Sequence, residues 1–173
     1  MSFFYKENPF VEQKIEQYFQ CLSDMNNRLL QGRLSVLLLG SLSRGEGTWV
    51  EEGSRIRLLS DIEFFTIYPM DFNEFSLWDK ILAETNEKIF HDETSFLFHV
   101  DNTYVSKESL PKMERKLLTF DAQNMGVTVV GENMKNLLPV ININNINFFD
   151  LKDIMTHRVF SVLHYGFRLK REG

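Results

Sequence analysis

The sequence predicts an α/β or α+β domain, a β-sheet with helices packed against it. Three observations carry that prediction. Apolar runs of strand length alternate along the chain with segments whose apolar residues recur at helical spacing. The 173 residues contain only nine Gly and four Pro, which leaves little room for long loops. Hydrophobic residues make up 43% and include sixteen Phe, enough for one large aromatic core.

The elements follow in order. Asn8 is a good helix cap, and Pro9 at the first helical position gives up no needed donor. Phe10, Ile15, Tyr18, Phe19, Leu22, Met25 and Leu29 then recur at helical spacing until Gly32, a C-terminal stop. Leu34 to Leu39 is a continuous apolar run closed by Gly40, which reads as a strand buried on both faces. Gly, Ser and Arg punctuate Gly40 to Gly47, and a polar stretch follows from Thr48 to Arg57. Asp61 to Tyr68 reads as a second strand, stopped by Pro69. Asp71 or Asn73 caps a helix through Phe75, Leu77, Trp78, Ile81 and Leu82 to about Ile89. Ser95 to Val105 is the third strand, and a helix from Glu108 to Gln123 ends just before Gly126. Val127 to Val130 is a short strand, and Gly131 to Asn133 leads into a short helix closed by Pro139. The Asn-rich stretch 142–147 is a connector, and Phe149, Ile154, Val159, Phe160, Leu163 and Phe167 mark a last helix.

Charge and composition narrow the function. With 19 Lys and Arg against 24 Asp and Glu the net charge is −5, and no basic stripe is present. That weighs against a protein that coats a nucleic-acid duplex, but not against a site that holds nucleotides through metal ions. Cys21, the one cysteine, forms no internal disulfide and no Cys-based zinc site alone. No apolar run approaches the roughly 18 residues of a membrane span. The N-terminus lacks a basic region followed by an apolar stretch, so a cytoplasmic globular protein is expected.

One segment carries chemistry: Leu38-Leu39-Gly40-Ser41-Leu42-Ser43-Arg44-Gly45-Glu46-Gly47, followed by Ser60-Asp61-Ile62-Glu63-Phe64. A strand that ends in Gly-Ser lets backbone N–H groups approach a phosphate, because Gly has no Cβ to obstruct it and Ser adds a hydroxyl. Arg44 lies close enough along the chain to add a fixed positive charge. Asp61 and Glu63 are two apart, so on a strand both carboxylates leave one face while Ile62 and Phe64 take the other. Two such carboxylates repel unless a cation sits between them, and Mg2+ accepts a carboxylate pair together with phosphate oxygens.

This segment resembles the nucleotidyltransferase superfamily typified by DNA polymerase β, in its bacterial form with a Gly-Ser-x-x-Arg-Gly-Glu start and a Ser-Asp-Ile-Asp/Glu finish. Gly40 and Ser41 match the first half; Asp61 and Glu63 match the second. The resemblance covers residues 34 to 139. It implies a mixed sheet with helices on one face, an acidic metal site at the sheet edge, and a third carboxylate on a neighbouring strand, for which Phe98-His99-Val100-Asp101 offers Asp101. It further implies transfer of a nucleoside monophosphate from a nucleoside triphosphate, ATP by default, to a hydroxyl of a small molecule, saccharide or protein. Asp61, Glu63 and Asp101 would be both catalytic and metal-binding, on two Mg2+ (or Mn2+) ions about 3.5–4 Å apart. Gly40, Ser41 and Arg44 would bind the nucleotide. The domain would span residues 1–140 with the N-terminal helix, and 141–173 would form a C-terminal helix that opens a helical domain. No membrane and no long nucleic acid are expected as partners.

Two departures stand out. Gly40 to Asp61 spans 21 positions (61 − 40), longer than the usual spacer, so Thr48 to Arg57 forms an inserted loop or hairpin. Glu63 replaces the commoner Asp and reaches one methylene further.

Several residues carry two readings. His99 lines the acceptor side or, more in keeping with a lone histidine, is hydrogen-bonded in the core. Trp49 stacks on a nucleobase or anchors its loop. Lys112, Arg115 and Lys116 meet phosphate or form a solvated helix face. The last helix folds back on the sheet, mediates a homodimer, or receives a helical partner. Two rival functions share the fold: a nucleotide-binding module without turnover, and an antitoxin-like interaction protein.

Overall fold

The structure, a computed structural model, describes residues 2–91, 95–97, 99–146, 148–150, 152 and 155–156. The elements run α1 (Pro9–Leu29), β1 (Ser35–Leu39), α2 (Gly40–Ser43), β2 (Trp49–Glu52), β3 (Arg55–Leu58), β4 (Ile62–Tyr68), α3 (Phe75–Phe90), β5 (Ser95–Leu97), β6 (Val100–Ser106), α4 (Leu117–Asn124) and β7 (Val127–Val130). The main sheet has the order β6-β4-β1-β7 and is mixed: β1 is antiparallel to β4 and β7, whereas β6 is parallel to β4. A second sheet has the order β2-β3-β5. This is the α/β architecture that the alternating pattern predicts.

The period of two along β1 and β4 separates two cores. Val36, Leu38, Ile62 and Phe64 face one way and pack with Ile15, Tyr18, Phe19 and Leu22 of α1 and Trp78, Ile81 and Leu82 of α3. Leu37, Leu39, Phe65 and Ile67 face the other way, against Leu110, Ala122 of α4 and Leu138. Both faces are therefore covered, and the expectation of helices on one face alone is corrected. The cause lies in β1 itself: all five of its residues are buried, and a strand without a polar face needs cover on both sides.

Local chemistry explains the boundaries. Asn8 Oδ1 accepts from Phe10 N (3.0 Å) and Val11 N (3.4 Å), the cap that the sequence predicts for α1. At the other end buried Asn26 donates to Leu34 O (3.0 Å) and accepts from Leu34 N (3.2 Å), which ties α1 to the start of β1. Three expectations give way. The cap of α3 is neither Asp71 nor Asn73, because Asp71 is drawn to Arg33 at 2.6 Å and the helix begins at Phe75 behind Glu74. The single strand expected over 95–105 is two strands serving different sheets. The helix expected over 108–123 is a 3-10 turn, Lys107–Lys112, followed by α4, since Pro111 has no N–H to continue an α-helix. Most of the C-terminal helix expected over 141–173 lies outside the described residues.

Tyr18 offers a stability test. Its ring is fully buried, stacked on Phe64 (6.1 Å) and edge-on to Phe90 (5.3 Å), yet its hydroxyl has no hydrogen-bond partner among the described residues. Burial drives its ionisation well above the usual tyrosine range, so the hydroxyl stays neutral. Tyr18→Phe keeps the packing and removes an unsatisfied polar atom. Urea unfolding is expected to show a gain of about 1 kcal/mol.

Candidate functional site

β1 ends at Leu39, whose register partner on β4 is Glu63. The next residue, Gly40, adopts φ +71° and turns the chain into the single turn of α2. A Cβ built on Gly40 would lie 2.7 Å from both Cδ and Oε1 of Glu63 and 3.0 Å from Oε2. The Glu63 carboxylate thus lies against the bare backbone of Gly40, in space that any other residue would fill. The extra methylene of Glu63 relative to Asp gives it this reach.

On the other side of β4, Glu63 pairs in register with Asp101 of the parallel strand β6. Register partners on parallel strands share a face, so Asp101 projects on the Glu63 side of the sheet. Asp61 lies one residue ahead of β4, half-buried, with Oδ1 shielded from solvent. The segment ahead of it is fixed by Ser60 Oγ, which accepts from Thr48 N at 2.8 Å, and by Leu59 N donating to Thr48 O at 2.9 Å. These bonds close the base of the β2–β3 hairpin, so the long spacer is an excursion that leaves at Thr48 and returns at Ser60. Gly40 and Asp61 stay together despite it.

The neighbouring carboxylates are not equivalent. The Asp101 side chain is 62% exposed and turned towards His99, with Oδ1 3.3 Å from His99 Nδ1. His99 itself is exposed, which overturns the reading of it as a core histidine. Among the described residues no three His, Cys, Asp or Glu side chains stand close enough to hold a metal ion. Glu63, Asp61 and Asp101 are thus gathered at one end of the sheet without closing around a point.

The loop after α2 is rigidly held. Glu46 N donates to Ser41 O (2.8 Å), Gly47 N donates to Phe3 O (3.0 Å) and Tyr5 N donates to Gly47 O (3.1 Å), which fixes the loop against the N-terminal residues. Ser43 Oγ donates to Gly40 O (2.9 Å), whereas the Ser41 hydroxyl makes no hydrogen bond with the described residues. Arg44 stands between two carboxylates: Nε contacts Glu46 Oε2 at 2.8 Å and Nη1 lies 3.7 Å from Asp121 Oδ2 on α4. Burial raises the Asp121 carboxyl above its ordinary range, the Arg44 charge lowers it again, and nearby Glu46 raises it.

Trp49 resolves to the anchoring reading. Its Nε1 donates to Lys6 O at 2.9 Å and the Lys6 ammonium sits 4.8 Å above its ring. Within the basic stretch, Lys116 pairs with Glu114 at 2.6 Å. The sequence reading missed Glu46 and Asp121 as partners of Arg44. Glu46 is the only acid in the first half of the quoted motif, Leu38 to Gly47, a signal present in the sequence; Asp121 comes from a distant helix and gives none.

No helix among the described residues is long and apolar enough to cross a membrane. No family model matches the chain, and no curated protein does. Among solved structures the chain is similar to a spectinomycin adenyltransferase from Enterococcus faecialis, solved with ATP and spectinomycin, at 14% identity and a TM-score of 0.48. The match takes in 76% of this chain and 61% of the adenyltransferase, so this chain spans less than two thirds of that protein's length.

Proposed function

We propose that the chain is a metal-dependent nucleotidyltransferase that moves a nucleoside monophosphate from a nucleoside triphosphate to a hydroxyl acceptor. The observation that carries this reading is the register: Leu39 opposite Glu63, and Glu63 opposite Asp101, with Gly40 backbone against the Glu63 carboxylate. Asp61, Glu63 and Asp101 thus lie at one end of the sheet, at the starts of two neighbouring strands, with the Gly40 turn against Glu63.

The residues fit Mg2+ in a particular way. Mg2+ is ordinarily held by one or two carboxylates and completes its octahedron with water and substrate phosphates. Asp61, Glu63 and Asp101 would hold it, and when bound it supplies charge neutralisation on the reacting phosphates. The chain does the rest. The Ser41 hydroxyl and the backbone at Gly40 would hold phosphate oxygens, and Arg44 would add positive charge. Asp101, exposed at the start of β6, would accept the acceptor's proton as its oxygen bonds the α-phosphorus. The bond from that phosphorus to the bridging oxygen breaks, and pyrophosphate leaves with the electron pair. ATP is the proposed donor, and a small-molecule, saccharide or protein hydroxyl the proposed acceptor, in the cytoplasm.

Thermal unfolding with each nucleoside triphosphate, with and without Mg2+, tests the reading. At 100 times its dissociation constant a ligand stabilises by about 2.7 kcal/mol, an easily seen shift. A Mg2+-dependent shift is the expected result. Absence of a shift with all four nucleotides overturns the reading. A second reading, an interaction protein of the same fold, draws on the apolar side chains at the surface between 140 and 148: Val140 is 84% exposed and Phe148 72%. It predicts no nucleotide shift at all.

A further inference from the structure

Arg44 is over-neutralised. One guanidinium stands between the carboxylates of Glu46 (2.8 Å) and Asp121 (3.7 Å), so the trio carries a net negative charge. The two acids differ. Glu46 belongs to the same loop as Arg44 and is 58% exposed. Asp121 is only 30% exposed and is fixed to α4, which packs on the sheet through Ala122 beside Leu39, the register partner of Glu63. Its backbone oxygen accepts from Met125 N (2.8 Å) and Gly126 N (2.9 Å), so its backbone is held by the end of the helix.

A triphosphate at the Gly40–Ser41 turn meets this trio as a negative field. To engage the phosphates, Arg44 has to leave Asp121, and the half-buried Asp121 carboxylate then loses its counter-charge. The displacement of its carboxyl towards the protonated form by burial agrees with that cost. We propose that Asp121 sets the chain's affinity for nucleotide by competing with the triphosphate for Arg44, a restraint supplied from α4. The inference rests on the nucleotidyltransferase reading above and adds a residue that no part of the sequence motif contains. Asp121 acts through Arg44 and touches no reacting atom in this role.

The test is a double-mutant cycle read by calorimetric titration with ATP and Mg2+ on the wild type, Asp121→Asn, Arg44→Ala and the double variant. A partly exposed ion pair is worth little, so Asp121→Asn is expected to lower Kd by about two- to fivefold. Arg44→Ala weakens binding, and in that background Asp121→Asn leaves Kd unchanged. In turnover assays the Asp121→Asn gain falls on KM and not on kcat. Asp121→Ser, which also removes the charge, is carried in parallel, and far-UV spectra confirm that each variant folds. Weaker or unchanged binding by both folded Asp121 variants overturns the inference while leaving the nucleotidyltransferase reading intact. An equal gain in the Arg44→Ala background also overturns it, since the effect is then a general loss of negative charge. Failure of the wild type to bind ATP overturns both.

Discussion

Asp61→Asn and Glu63→Gln, singly and together, are expected to lower pyrophosphate release by about a thousandfold or more while the far-UV spectrum stays that of the wild type. The amides keep the volume of the carboxylates and remove their charge. A bound divalent cation is worth several kcal/mol of charge stabilisation in such a transfer, and each 1.36 kcal/mol is about tenfold in rate. The fold survives because β4 is held by residues of the opposite character: Ile62 and Phe64 pack on the α1–α3 side and Phe65 and Ile67 on the α4 side. The double variant is expected to fall no further than the worse single one, since under the proposed function both carboxylates would serve the same ion and effects within one unit do not add. The Mg2+-dependent part of the nucleotide thermal shift disappears with the activity. Turnover within tenfold of the wild type in the double variant sinks the assignment, because the chemistry then lies elsewhere on the chain.

The parts of this arrangement that are legible in the sequence are short-range. The two-residue spacing of Asp61 and Glu63 needs only the strand period, and the Gly40–Ser41 turn needs only a buried strand before it. Asp101 is a longer step, yet it lands opposite Glu63 because a parallel neighbour of β4 starting at Val100 fixes its register. What failed depends on contacts that a periodic pattern does not encode. Residues 95–105 contain no Gly or Pro to break a strand, but Ser95–Leu97 pair with β3 and Val100–Ser106 with β4, and nothing local tells a strand which sheet to join. Pro111 is a visible signal against one long helix, since it has no N–H to continue it. Trp49 was ambiguous because both of its readings bury a ring; only the donor from Nε1 to Lys6 O decides between them. Asp121 was invisible because its partner is set by how α4 crosses the sheet.

Gly40→Ala should be the most informative single-atom addition in the chain, because it imposes two separable costs. The first is the backbone: φ +71° is the left-handed region, and a residue with a Cβ held there costs on the order of 1–3 kcal/mol. For a chain of this size that lowers the melting temperature by about 2–4 °C per kcal/mol. The second is the contact: the new carbon would lie 2.7 Å from Cδ and Oε1 of Glu63. Those atoms are the far end of a flexible side chain, so Glu63 yields by rotating away, and a cation held by it under the proposed function would lose that ligand. Activity therefore falls much further than stability, towards the level of Glu63→Gln. Shortening the partner separates the two costs. Glu63→Asp withdraws the carboxylate by one methylene, so Gly40→Ala/Glu63→Asp is expected to regain part of the lost turnover relative to Gly40→Ala alone. The melting temperature should not recover with it, because the positive φ is unchanged. If turnover instead tracks the melting temperature across the three variants, Gly40 acts only as a turn residue, and the close approach of its backbone to Glu63 has no part in catalysis.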